Sequence, residues 1–305
     1  MDVRPRVGGY ARRVAIGSEL PRLGGYPFEV RYSEGALVRA RAAADVAAHA
    51  YVYFSRLFSG VEPDIAVVVA DKADWGGWAV RCPYGLPFFN DDAGAIRPGV
   101  VVMPAGVGDF WIAMVQDLRD ASPRGYVKLL ATYPDGAGGV DLQPFFDLIT
   151  IHELGHAFEV LGDLRLPTFW LSEIFVNLAL HAFVTTQLPG SLPTLEALST
   201  VGAGSQKLAA RMRAEGYATL EELQAHYTGS DDSMDPLNYV WFQYRWQRLA
   251  ARMFEVDGED GLVRFWNCFR STDRVNAGEA TAASLAPLLT TEVGRTLGEA
   301  VRDWR

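Results

Sequence analysis

The stretch Pro134-Asp135-Gly136-Ala137-Gly138-Gly139 separates two kinds of sequence in this 305-residue chain. Neither a helix nor a strand runs through six such residues. Before the break, strand-like and helix-like patterns mix. Residues 28–32 alternate apolar and polar and read as a strand. Ser33 and Glu34 open a helical pattern that lasts to about Gly60, with Leu37, Val38, Ala42, Val46, Ala50, Tyr53, Phe54 and Leu57 at helical spacing. Residues 64–70 are an almost unbroken apolar run and predict a strand buried on both faces. Residues 78–82 predict another strand, 83–98 a loop, and 100–104 a strand ended by proline. A helix is expected from Asp109 to Arg119.

After the break every pattern is helical. Asp141 can cap a helix that takes Pro144 in its first turn and stops at Gly162, a suitable residue for a left-handed helix end. A second helix is expected from near Thr168 to about Thr186. Further helices are expected over 191–215, 219–227, 236–256, 259–270 and the C-terminal tail. The fold class is therefore α+β. An irregular arm (1–25) precedes a mixed lobe with a small sheet (26–161), and a mainly helical lobe follows (162–305).

The helix at the junction carries His152-Glu153-Leu154-Gly155-His156. Its two histidines are four residues apart, one helical turn, so both imidazoles can converge on one ion. Glu153 can hold and deprotonate a water activated by that ion without being a ligand. The chain has five histidines (His49, His152, His156, His181 and His226), so a chance match on a buried helix is the weaker explanation. Phe145, Leu148, Ile149, Ile151, Phe158 and Leu161 anchor the helix. Gly155 in its interior costs about 1 kcal/mol relative to alanine, which a close backbone approach or a space requirement behind the metal would explain.

A catalytic zinc commonly has three protein ligands. A third histidine six residues after His156 is excluded, because Glu159 and Gly162 stand where that pattern needs glycine and histidine. Glu159 is expected to face outward or to make a helix-surface pair, and Asp163 to lie in an exposed loop. Glu173, in Trp170-Leu171-Ser172-Glu173, is the expected third ligand of one zinc ion. A short turn at 162–167 folds its helix back on the first. Asn177, one turn later, is expected to accept a hydrogen bond from a ligand histidine.

These residues resemble the gluzincins, the thermolysin and aminopeptidase-N side of the zincin metallopeptidases, over about 141–187. The resemblance implies zinc held by His152, His156 and Glu173, with Glu153 as general base. It places Asn177 where thermolysin-like enzymes have an acidic residue that orients a ligand. It also implies an edge strand that pairs with extended substrate, for which residues 100–103 are the expected segment. By the same resemblance Tyr239 is the donor that stabilises the oxyanion, with Tyr244 and His226 as lesser choices. His181 could line the pocket or be an ordinary core histidine. The Gly-Ala-Met-Glu-Asn motif of aminopeptidases does not occur, which weakens an exopeptidase reading.

Composition bounds the remainder. A net charge of −9 argues against nucleic acid or an anionic membrane as the main partner. Two cysteines, Cys82 and Cys268, predict thiols in a reducing compartment rather than a disulfide scaffold. No apolar stretch follows the N-terminal arginines, and no run of about 18 apolar residues occurs, so a cytoplasmic protein is expected. Asp231, Asp232 and Asp235 lack the spacing of a calcium loop and read as a solvated loop with a helix cap at Asp235. The function expected is zinc-dependent hydrolysis of peptide bonds in a peptide or protein substrate. The alternatives are a degenerate zincin-fold binding module and a zinc hydrolase of a non-peptide amide or ester.

Overall fold

The computed structural model describes residues 20–79, 82–91, 98–228, 236–270 and 280–304. Most of the expected arm, and Asp231, Asp232 and Asp235, lie outside these residues. The fold is α+β, with one five-stranded sheet and a largely helical remainder.

Two short strands, β1 (Arg22–Leu23) and β2 (Glu29–Tyr32), precede the long helix α1 (Leu37–Leu57). Ser33 ends β2 rather than starting the helix. Its hydroxyl donates to Asp74 at 2.6 Å and accepts from the Asp71 N–H at 2.9 Å. The packed face of α1 is a row of small residues, Ala40, Ala43, Ala44, Ala47 and Ala50, ending in Tyr53 and Phe54. Val38, expected on that face, is 79% exposed.

The strands β3 (Ile65–Ala70), β4 (Phe88–Asn90) and β5 (Gly99–Pro104) complete a sheet of order β1-β2-β3-β5-β4. The pairs β2–β3 and β3–β5 are parallel, while β1 and β4 close the edges antiparallel. All residues of β3 and β5 are buried, as strands covered on both faces require. Alternate residues point to opposite sides. Val67, Val69, Val101 and Met103 enter the main core, and Val68, Val100 and Val102 pack against Trp75 and Trp78. Two expectations are corrected here. Trp78 and Ala79 follow a 3-10 turn (Trp75–Gly77) instead of forming a strand. Residues 100–103 are interior, and the edge is β4, inside a segment read as loop.

Helices α2 (Asp109–Ala121) and α3 (Pro123–Thr132) lead to the break, where Pro134 and Val140 form an isolated bridge. Next come α4 (Gln143–Leu161) and α5 (Phe169–Gln187), which carry the motif residues. The Asp141 carboxylate accepts from the Gln143 N–H at 2.9 Å. The Thr168 hydroxyl caps α5 by accepting from the Leu171 N–H. Gly162 is not in the left-handed region; Asp163 is, with φ 57°. Glycine is needed at 162 for space, because a Cβ there would stand 2.6 Å from the Trp266 ring. At Gly155 a Cβ would meet Val176 of α5 at 3.2 Å, so the glycine lets the two helices approach.

The helices α6 (Leu192–Ala203), α7 (Gln206–Ala214) and α8 (Leu220–Thr228) follow, so the expected helix over 191–215 is two, parted at Gly204 and Ser205. The long α9 (Pro236–Arg270) breaks at Gly258, with φ 58° and ψ −151°. The chain ends in α10 (Ala282–Leu288), a π-helical turn (Leu289–Val293) and α11 (Arg295–Arg302). Among the described helices, α5 alone is long and apolar enough to cross a membrane, and 78% of that window is buried against the rest of the protein.

Candidate metal centre

The packing of α4 against α5 brings His152, His156 and Glu173 together. One ligand atom from each lies within 4.8 Å of the others. His152 Nε2 is 3.3 Å from Glu173 Oε2, and His156 Nε2 is 3.6 Å from Glu173 Oε1. Ligand atoms about 2.0–2.1 Å from a tetrahedral ion stand about 3.3 Å apart, so this spacing suits a cation held between them. His152 and Glu173 are 5% and 2% exposed.

The second nitrogen of His156 fixes its tautomer. Nδ1 lies 3.1 Å from the Glu159 carboxylate, which can only accept, so Nδ1 carries the proton and the Nε2 lone pair faces Glu173. Glu159 also accepts from the Ser172 hydroxyl at 2.6 Å. Glu159 is therefore a buried partner of a ligand, not an outward-facing residue. Two imidazole nitrogens and a carboxylate converging at this spacing are a donor set that suits a cation.

The electrostatics of the cluster say the same. Burial alone would push the His156 imidazole down, but the carboxylates of Glu173 and Glu159 outweigh it and raise it to about 9. Burial would raise the Glu173 carboxyl, yet His156 and His152 bring it below its usual value. The cluster takes up a positive charge readily, so the residues fit a metal ion.

Glu153 lies against the cluster without belonging to it. Burial pushes its carboxyl above the usual range, and the two histidines oppose that shift. The backbone of Phe89 lies near enough to oppose it slightly as well. Phe89 lies in the edge strand β4, where it pairs with Val101. Cys82 is near enough to feel the Glu153 charge; burial and that charge push its thiol up to about 12, so it stays protonated.

A second network holds Glu173 from behind. Asn177 donates to the Glu173 carbonyl and to Gln243 Oε1, both at 2.8 Å. Gln243 Nε2 donates to Glu173 Oε2 and to the Tyr239 oxygen, both at 2.6 Å. Asn177 therefore does not accept from a ligand histidine; Glu159 is the histidine's partner. Tyr239 joins the site through Gln243 and packs against Phe169. The other candidates lie elsewhere. Tyr244 is buried and donates to the Met114 sulfur at 2.8 Å. His226 is exposed and stacks on Tyr217. His181 is a core histidine beside Gln247 and Phe254. Asp163 is exposed and pairs with Arg165. Cys82 borders the smaller apolar cluster and Cys268 lies in the main one.

Sequence reasoning misread Glu159 and did not single out Ser172, Gln243 or the Phe89 backbone. Glu159 had a signal, its three-residue spacing from His156. Gln243, 70 residues from Glu173, had none. No protein-family model, curated protein or solved structure matches the chain.

Proposed function

We propose that the chain is a zinc-dependent metallopeptidase with a zincin-like fold. The observation that carries this reading is Glu153: a buried carboxylate against the three-residue cluster, free of any ligand role, is the base that hydrolysis needs. Two imidazoles and one carboxylate also suit iron oxygenases. Oxygen chemistry has no use for a base in that position.

When bound, zinc supplies a Lewis acid that polarises a carbonyl and makes a water acidic near neutral pH. His152, His156 and Glu173 would hold it. Glu153 accepts the proton of the attacking water on its carboxylate. It then delivers that proton to the amide nitrogen, so the C–O bond forms and the C–N bond breaks with a neutral amine leaving. Burial favours the first step, because a carboxylate raised above its usual range is a stronger base. Tyr239 provides an O–H donor for the carbonyl oxygen as it gains negative charge. An extended peptide pairs with the open edge of β4. The substrate is a peptide or protein, with neither nucleic acid nor membrane as partner.

The test is cleavage of a peptide library by the full chain, read by mass spectrometry, with Glu153→Gln as control. The wild type cleaves, and the variant keeps its zinc while turnover falls by about 10²–10⁴-fold. Undiminished turnover in the variant would overturn the mechanism. Zinc bound by the wild type with no peptide cleaved would favour a binding module. Cleavage confined to a panel of non-peptide amides and esters would move the substrate class.

A further inference from the structure

We propose that Gln243 is a positioning residue of this centre, a single side-chain amide that fixes the third ligand, Glu173, and orders the proton of Tyr239. The inference rests on reading His152, His156 and Glu173 as a metal site. It concerns two pairs of residues that face each other across two helices. Glu173 and Asn177 are one turn apart on α5, and Tyr239 and Gln243 are one turn apart on α9.

The hydrogen atoms of this network can be placed by elimination. The Glu173 carbonyl only accepts, so the Asn177 atom 2.8 Å from it is the amide nitrogen. That nitrogen also donates at 2.8 Å to Gln243, which must present its oxygen there. The nitrogen of Gln243 is then turned to Glu173 Oε2 and Tyr239 Oη, each at 2.6 Å. An amide nitrogen has two hydrogens, and these two bonds use both. The reverse orientation would press an amide oxygen against a carboxylate oxygen at 2.6 Å, with Asn177 and Gln243 donor to donor. Only one arrangement satisfies every member.

Two consequences follow. Glu173 receives a hydrogen bond to its charged form, which fixes the rotation of a carboxylate whose Oε2 also faces His152 and whose Oε1 faces His156. Tyr239 receives a bond on its oxygen, so that contact does not consume the phenol's own proton. Donation to the oxygen also polarises the O–H and makes it a stronger donor to a further acceptor. Metal holding and oxyanion donation thus share one joint. Neither α4 nor the His-Glu-Leu-Gly-His motif contributes to it.

The experiment measures the Zn²⁺ dissociation constant of the full chain by competition with a chromophoric chelator. Four proteins are compared: wild type, Gln243→Met, Gln243→Glu and Tyr239→Phe, each with its thermal unfolding recorded. Methionine keeps the length of glutamine and removes both donors, so zinc binding weakens by about 10–100-fold. Glutamate sets a second carboxylate against Glu173 and weakens it at least as far. Tyr239→Phe removes only an acceptor from Gln243 and leaves zinc affinity within about twofold, well below the range for a lost ligand partner. Zinc affinity of a folded Gln243→Met protein within twofold of wild type would overturn the inference. Equal weakening in Gln243→Met and Tyr239→Phe would also overturn it, since loss of packing would then explain both. A wild type that binds no zinc would instead contradict the underlying metal site.

Discussion

Glu173 near the start of α5 and His181 two turns further on are both almost wholly buried, yet their surroundings differ in kind. The first half of the helix faces His152, His156 and, through Gln243, Tyr239. The second half faces Gln247, Phe254 and the charge of Arg248 on α9. Two imidazoles, His181 buried and His156 half-buried, report the contrast. Burial, reinforced by Arg248, pushes His181 down to about 4. Burial opposes protonation of His156 as well, but two carboxylates reverse the outcome and raise it to about 9. Depth alone therefore does not mark a functional histidine. Opposite charge gathered around the ring sets His156 apart, from Glu159 on its own helix and Glu173 on the next.

The largest effect that can break this comparison is in metal binding. His156→Ala should weaken zinc by more than the about 10–100-fold typical of losing a ligand's partner. His181→Gln should leave zinc affinity unchanged. Equal losses in both variants, measured by chelator competition, would erase the distinction between the two halves of the helix.

Next is stability against pH. The folded pKa of His181 lies below its unfolded value of about 6.5, so the native state prefers the neutral ring. Its contribution is fully present above about pH 6.5 and is lost as pH falls towards 4, because the unfolded chain takes up the proton first. The loss amounts to about 3 kcal/mol over that window. In zinc-free protein, urea unfolding of His181→Gln should show a flatter decline between pH 6.5 and 4 than wild type. Identical slopes would mean that His181 is not the group taking up the proton.

The smallest effect sharpens the metal-facing side. Glu159→Gln keeps an acceptor for the His156 Nδ1–H but removes the charge, so zinc should weaken by about tenfold while the fold persists. Glu159→Leu should weaken it further, towards about 100-fold. If neither variant changes the dissociation constant, Glu159 is an ordinary buried helix pair.

Legibility in the sequence followed the distance over which each feature is decided. His152, Glu153 and His156 were readable because one helical turn sets their geometry. Glu173 was readable because the turn after Gly162 is short enough to return its helix to the first. Glu159 was misread although its spacing from His156 was in view, since Ser172 of the neighbouring helix determines that this face is covered. Gln243 could not be found, because nothing local connects residues 173 and 243. The sheet shows the same division. The run in β3 announced a buried strand, and that in β5 announced a strand but was expected at the edge, whereas β4 is three residues long among turn-forming neighbours. Its place at the edge depends on strand order, which no local pattern carries.

The central claim is that this cluster holds one zinc ion. Elemental analysis of the full chain, purified without chelator and then titrated with Zn²⁺, tests it most directly when Glu173→Ala is analysed alongside. The account predicts one equivalent of zinc per wild-type chain and markedly less in the variant. A wild type that binds no zinc, or a variant that retains the full equivalent, would contradict it.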